Sequence, residues 1–310
     1  MDFSSLNPVA IAVAIIIAAT PLVFAALGEL IVEKAGVLNL GVEGMMIVGA
    51  IGGFATALET DSLILAMMAG AAAGALLSLL FAGLTQYLLS NQVATGLALT
   101  MFGLGIAALL GQSYAGRTLS VSEKLNIPGV SDLPIVGPLL FSHDPLVYVS
   151  ILMVFAVGWF LKRTRTGLIL RAVGEDHDSA HAIGYDVRLI RVAAIVFGGA
   201  MAGLGGAYLA VIQTPLWVEG MTAGRGWIAL AIVVFATWRP GRALLGAYLF
   251  GGVTIIQLNL QAINFPIQSQ YLSMTPYLVT IIVLVIISSN KAKARMNAPG
   301  CLGKPFYASA

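Results

Sequence analysis

Charge is what this sequence lacks. Only 10% of its 310 residues are Asp, Glu, Lys or Arg, against about 25% in soluble domains. So few charged side chains cannot coat a water-facing surface, which excludes an ordinary soluble globule. A single cysteine, Cys301, leaves no disulfide framework and no Cys-based metal site. The net charge is only +2, with the basic residues in short connectors and not on one face, which argues against a nucleic-acid partner. No Gly-x4-Gly-Lys-Ser/Thr loop occurs, and Gly303-Lys304 is followed by Pro305. The chain therefore carries no phosphate cradle of its own.

What is present is apolar surface: 59% of residues are hydrophobic and the mean hydropathy is +0.94. The bilayer takes the place of the missing polar coat. A hydrocarbon core of about 30 Å needs roughly 20 apolar residues per helix. Nine stretches are expected to span it: 7–27, 37–58, 62–89, 92–112, 146–161, 192–212, 226–238, 243–258 and 276–289. The segments 226–238 and 243–258 are short and separated only by Arg239-Pro240-Gly241-Arg242. They read as a broken or re-entrant pair, so the count runs from eight to ten. Asp2 is the only charge before the first stretch, and Glu29, Glu33 and Lys34 follow it, which reads as a retained span and not a cleaved signal. The expected fold is an all-α polytopic membrane bundle forming one domain, residues 1–310.

Orientation follows from Lys and Arg, which are in excess in short cytoplasmic loops. The connector 162–191 holds Lys162, Arg163, Arg165, Arg171, Arg188 and Arg191; the turn after Trp238 holds Arg239 and Arg242; the tail 291–310 holds Lys291, Lys293 and Arg295. These three are assigned to the cytoplasmic side, and 113–145, 213–225 and 259–275 to the outside. Trp217, Trp227 and Trp238 are expected at the membrane interfaces. The spacings Gly70-x3-Gly74 and Gly199-x3-Gly203 fall within spans and suit close helix packing. Gly220-x3-Gly224 falls in a loop, where turn glycine is the better reading.

The connector from Gly167 to Gly199 is too charged for the membrane and too compact for a domain. Between Gly174 and Gly184 it reads as one short helix, with Asp176 and Asp178 near its start, where carboxylates suit the helix dipole. Such a helix is either a surface pushed by a partner or a solvated loop. Ala180 and Gly184 are expected on one face, small enough for close approach. His177 and His181 have metal-ligand spacing, but the acidic neighbours Glu175, Asp176 and Asp178 favour a solvated docking helix over a metal site. Gly111-Gln112-Ser113-Tyr114-Ala115 is a near miss to a serine-hydrolase elbow; His143, His177 and His181 all lie outside the expected spans.

Asp178-Ser179-Ala180-x3-Gly184 resembles a degenerate EAA-x3-Gly signature of permease subunits in binding-protein-dependent ABC importers. Asp replaces Glu, Ser replaces the first Ala, and the later Ile-x-Leu-Pro portion is absent. The run from Gly28 through Gly36-Val37-Leu38-Asn39-Leu40-Gly41-Val42-Glu43-Gly44 to Met46, with Arg171-Ala172-Val173-Gly174, is similar to permeases of the simple-sugar and nucleoside ABC importer family. The likeness extends from about residue 8 to 290. It implies a type II importer permease fold without an ATPase site of its own and with no cofactor. It also implies three partners: an ATPase with two nucleotide-binding domains, a second homologous permease and an extracytoplasmic substrate-binding lipoprotein. A nucleoside stands ahead of a simple sugar as solute. Gly174, Glu175, Asp178, Ala180 and Gly184 become the expected coupling residues.

For the path, Asn39 and Glu43 are expected to share a helix face, among Gly36, Gly41 and Gly44. Glu43 either lines the route or caps backbone freed by those glycines. Gln92 and Asn259 are further candidates. The competing class is an ion-coupled secondary transporter, but Glu43 is the only clear ionisable group within a span.

Overall fold

A computed structural model describes residues 7–119, 137–263, 266–288 and 297–307. Lys124, Lys291, Lys293 and Arg295 lie outside the described residues. Helices α1 (Pro8–Lys34), α2 (Val42–Thr60), α3 (Leu63–Ala82) and α4 (Gln92–Gly111) come first. They are followed by α5 (Pro145–Arg163), α6 (Arg165–Glu175), α7 (His177–Ala182) and α8 (Val187–Tyr208). The last four are α9 (Arg225–Phe235), α10 (Pro240–Ala262), α11 (Ser269–Ser273) and α12 (Thr275–Ser288). Among the described residues there is no strand, only a bridge between Thr118 and Leu216. Seven helices there are long and apolar enough to cross a membrane, counting the π turns that extend α3 and α8. Each of the nine expected stretches holds a helix, but residues 37–41 precede α2 without helical structure, and α9 and α12 are shorter than a full span, at 11 and 14 residues.

Local chemistry explains the helix starts. Asn7 accepts the backbone N–H groups of Val9 and Ala10, and Pro8 fills the first helical position, where its missing N–H costs nothing. Asp144 does the same for α5 ahead of Pro145, and its other oxygen accepts the Tyr208 hydroxyl at 2.8 Å, joining α5 to α8. Asp186 caps α8.

Helix α8 is the central post, packed against α1, α2 and α3. Its glycines make this geometry possible, because without a hydrophobic drive between helices it is close backbone contact that holds them together. Gly206 lies against the Met46 carbonyl of α2, and Gly199 and Gly203 against Gly74 of α3; in each case a Cβ would collide with backbone or side-chain atoms. The small-residue spacings of α3 and α8 thus meet each other. Gly220 and Gly224 both have positive φ, 67° and 81°, and are turn glycines as expected. Outward faces carry Leu76, Phe102 and Phe155, all more than half exposed, as lipid-facing helices require.

Four expectations on the fold are corrected. The first helix does not stop near 27 but continues through Glu29 and Glu33, both buried within the bundle. Only α9 of the 226–258 pair is short, since α10 runs 23 residues from Pro240. Trp217 and Trp238 are buried instead of forming a belt: Trp217 sits against Gly111, and the Trp238 indole N–H donates to Glu33. The window between Gly174 and Gly184 is two helices, α6 and α7, broken at Asp176.

Candidate functional site

One end of the bundle gathers the inner end of α1, the α1–α2 connection, α6, α7, the start of α8 and residues 297–307. It is the end expected to be cytoplasmic. Asp176 caps α7, accepting from the N–H groups of Asp178 and Ser179 and from the Ser179 hydroxyl, and these bonds hold its carboxyl below the usual range. Glu175 and Asp178 are exposed. Gly184 has φ +94°, a left-handed stop that favours glycine, and Ile183 before it is 71% exposed.

Two of the expected coupling residues face inward. Gly174 is buried in the last turn of α6, where a Cβ would strike the Lys34 carbonyl of α1. Ala180 is 2% exposed and packs with Val173, Val187 and Phe306, so it does not share an open face with Gly184. A buried small residue at 180 lets α7 sit down on α6 and α8. The open surface is therefore Glu175, Asp178, Ile183 and Gly184.

Among the described residues there is no group of three or more His, Cys, Asp or Glu that could hold a metal ion. His177 Nδ1 lies 3.1 Å from an Arg191 Nη, and the Phe306 ring makes T-shaped contacts with both imidazoles. Burial pushes the His177 pKa down, and the Arg191 charge adds to this; Asp178, 3.6 Å from Nε2, opposes it. Sequence reasoning missed Arg191 as more than a connector charge. The signal was there: an arginine one turn into an apolar helix needs buried acceptors.

The second region is interior. Residues 36–41 are not helical, so Asn39 and Glu43 do not share a helix face. This stretch climbs beside α4: the Leu38 N–H donates to Gln92 Oε1 (2.8 Å), the Asn39 N–H to Glu29 Oε1 (3.3 Å), and the Thr100 hydroxyl to the Leu40 carbonyl (3.0 Å). The Asn39 side chain accepts the Gly41 N–H. Gln92 and Asn39 thus hold a broken connection in place. Glu43, 3% exposed in the first turn of α2, reaches across to the start of α9. Its Oε1 accepts from the Thr222 hydroxyl (2.6 Å) and the Gly224 N–H (2.9 Å), and its Oε2 from the Gly226 N–H (2.6 Å). The half-length helix α9 therefore begins inside the protein, with its free N–H groups and positive dipole end met by a carboxylate. Arg225, next to this joint, donates to the Met221 and Thr222 carbonyls. Glu43 does cap glycine backbone, but on a remote helix. Asn259 is not part of this cluster; it lies near the far end of α10 and donates to the Ile255 carbonyl of its own helix.

A multi-pass helical bundle with a capped half-helix inside it and a short helix pair at one end is the architecture of a membrane permease. Residues 11–287 match the family described as branched-chain amino acid transport system / permease component, and the chain belongs to that family. It is similar, at 41% identity over 92% of this chain and 93% of the other, to "Putative glucose ABC transporter permease protein TsgC13" of Haloferax volcanii. At 32% identity it is similar to the nucleoside ABC transporter permease protein NupC of Lactococcus lactis, over 87% of this chain and 90% of that protein. Similarity to the guanosine ABC transporter permease protein NupQ of Bacillus subtilis is also 32%, over 94% and 95%. The chain is a multi-pass membrane permease subunit of an ABC importer.

Proposed function

We propose that this permease admits a nucleoside or a simple sugar. ATP is hydrolysed on a partner subunit that carries two nucleotide-binding domains, since the sequence holds no phosphate loop. A second, homologous permease completes the channel, and an extracytoplasmic lipoprotein delivers the solute. The observation that carries the reading is the full-length similarity to relatives named for glucose, nucleoside and guanosine.

Within this single domain, 162–191 is the cytoplasmic coupling loop and 291–310 a cytoplasmic tail. Glu175, Asp178, Ile183 and Gly184 form the face that meets the ATPase, while Gly174 and Ala180 seat that face on α1 and α8. Asn39, Glu43 and Gln92 fix the broken helices beside the route. Displacement of α7 reaches them along a short path, because Gly174 packs on the end of α1 and Gly36 begins the stretch that leads to Glu43. Asn259 contributes at the outer end, apart from the others.

The test is uptake in proteoliposomes holding the reconstituted importer. Labelled guanosine or glucose accumulates only with hydrolysable ATP, and accumulation persists when ionophores collapse ion gradients. Uptake by this chain alone on a proton or sodium gradient refutes the reading in favour of a secondary transporter. The variant Gly184→Trp, inserted at normal levels, loses coupling; normal ATPase binding and uptake in it would remove the docking role of this loop.

A further inference from the structure

The segment 297–307 forms no regular helix or strand, yet it is bound on several sides. Lys34 Nζ donates to the Asn297 carbonyl (2.7 Å), the Cys301 N–H to the Gly174 carbonyl (2.9 Å) and the Gly303 N–H to the Gly36 carbonyl (3.1 Å). Arg191, fully buried, is the hub. Its Nε donates to the Ala35 carbonyl (3.2 Å), one Nη to the Lys304 carbonyl (3.0 Å) and the other approaches His177 Nδ1 (3.1 Å). One guanidinium thus ties the end of α1, helix α7 and this segment to α8, using donors in a fixed fork that a lysine could not reproduce. Phe306 closes the arrangement, buried among Val173, Ala180 and Val187, with its centroid 5.4 Å from that of His177 and 5.2 Å from that of His181.

This seating brings two exposed apolar side chains out from neighbouring backbone. Ile183 follows His181 by two residues and is 71% exposed; Tyr307 directly follows Phe306 and is 66% exposed. Both belong to the end of the molecule outside the apolar spans. Between 175 and 186 the exposed charged side chains are Glu175, Asp176, Asp178 and Asp186; the exposed cations of this end, Arg163, Arg165, Arg171, Arg239, Arg242 and Lys304 among them, lie outside that window.

We propose that the surface docking the ATPase is composite: α7 and its Ile183–Gly184 turn form one half, and Lys304–Tyr307 the other, with Arg191 keeping the halves in register. The partner surface it fits is an apolar cleft on the nucleotide-hydrolysing subunit, with basic groups opposite α7. Exposed apolar anchors within a charged surround are the usual pattern of such hot spots. This inference rests on the reading that 162–191 is the docking loop, and it adds a second segment remote in sequence.

The experiment measures ATPase retained on the tagged permease, and solute uptake, in the reconstituted importer. Tyr307→Ala, Tyr307→Phe and Gly184→Trp are compared at matched permease levels. The native thiol of Cys301, a residue of the segment that is 8% exposed against α6, reports seating through its protection from maleimide. Tyr307→Ala is expected to weaken ATPase binding about tenfold with Cys301 still protected, and Tyr307→Phe to bind normally. Normal binding in Tyr307→Ala with loss in Gly184→Trp would overturn the composite surface and leave the docking loop standing. Normal binding in both would overturn the docking loop as well. Weakened binding with an unprotected Cys301 would mean unseating and not a lost contact, and would also overturn the proposal.

Discussion

The carboxylate of Glu43, in the first turn of α2, accepts a 2.6 Å hydrogen bond from the backbone N–H of Gly226, 183 residues further along the chain. A half-helix starting inside a packed bundle has N–H groups that need protein acceptors; this one acid takes those of Gly224 and Gly226, while the Thr222 carbonyl takes that of Arg225. The contact explains why α9 can be short and still sit inside the bundle.

Replacing Glu43 with Ala leaves the Gly224 and Gly226 N–H groups and the Thr222 hydroxyl without this acceptor. Each buried donor left unpaired costs about 1–3 kcal/mol, so the detergent-solubilised variant is expected to unfold at a clearly lower temperature. Glu43→Gln, which keeps one acceptor oxygen, falls between the two. Equal melting temperatures for wild type and Glu43→Ala would show that α9 is held by other contacts.

Packing around α8 is tested by a pair of valines. At Gly206 a side chain meets the Met46 carbonyl, whereas nothing lies within 4 Å of a Cβ at Gly105. Gly206→Val is expected to destabilise the protein by about 1–3 kcal/mol or to reduce its folded yield. Gly105→Val, whose site opens outward, should fold normally in thermal-shift and size-exclusion measurements.

Acidification acts on the Arg191–His177 contact. The folded pKa of His177 lies below its ordinary value of about 6.5, so protonation favours the unseated state. The contribution of the contact is complete above about pH 6.5 and declines as pH falls below that toward the depressed folded value. The maleimide reactivity of Cys301, which rests against the Glu175 carbonyl, should rise over that acidic range after correction for thiolate fraction. In His177→Gln the rise should be absent; its persistence would assign the effect to other groups.

Sidedness is tested by single cysteines in a Cys301→Ser background. Arg117 and Ser179 are both exposed, at opposite ends of the bundle. An impermeant thiol reagent applied to intact cells lacking an outer barrier should label Arg117→Cys and leave Ser179→Cys untouched until the membrane is opened. The reverse pattern would invert the topology and place α7 away from any ATPase.

The sequence by itself determined the solvent, the helices and the family. These depend on local properties: the length of apolar runs, the scarcity of charge, the position of Lys and Arg, and a contiguous glycine-rich run around Glu43. It also showed that Gly70, Gly74, Gly199 and Gly203 pack helices, though not that the two pairs face each other. Tertiary structure alone decided what each polar group does. Glu43 was visible as an unusual acid in a span, but two of its three partners are backbone N–H groups of residues 224 and 226, and backbone leaves no trace in side-chain identity. Ala180 looked like half of an open small-residue face; whether a helix face points outward depends on what covers it, here Phe306 from over a hundred residues away. Arg191 read as one more cytoplasmic charge, and only the meeting of α1, α7 and residue 304 around it makes it the hub of that end. Hydropathy is summed along the chain, whereas such contacts are set by packing between segments distant in sequence.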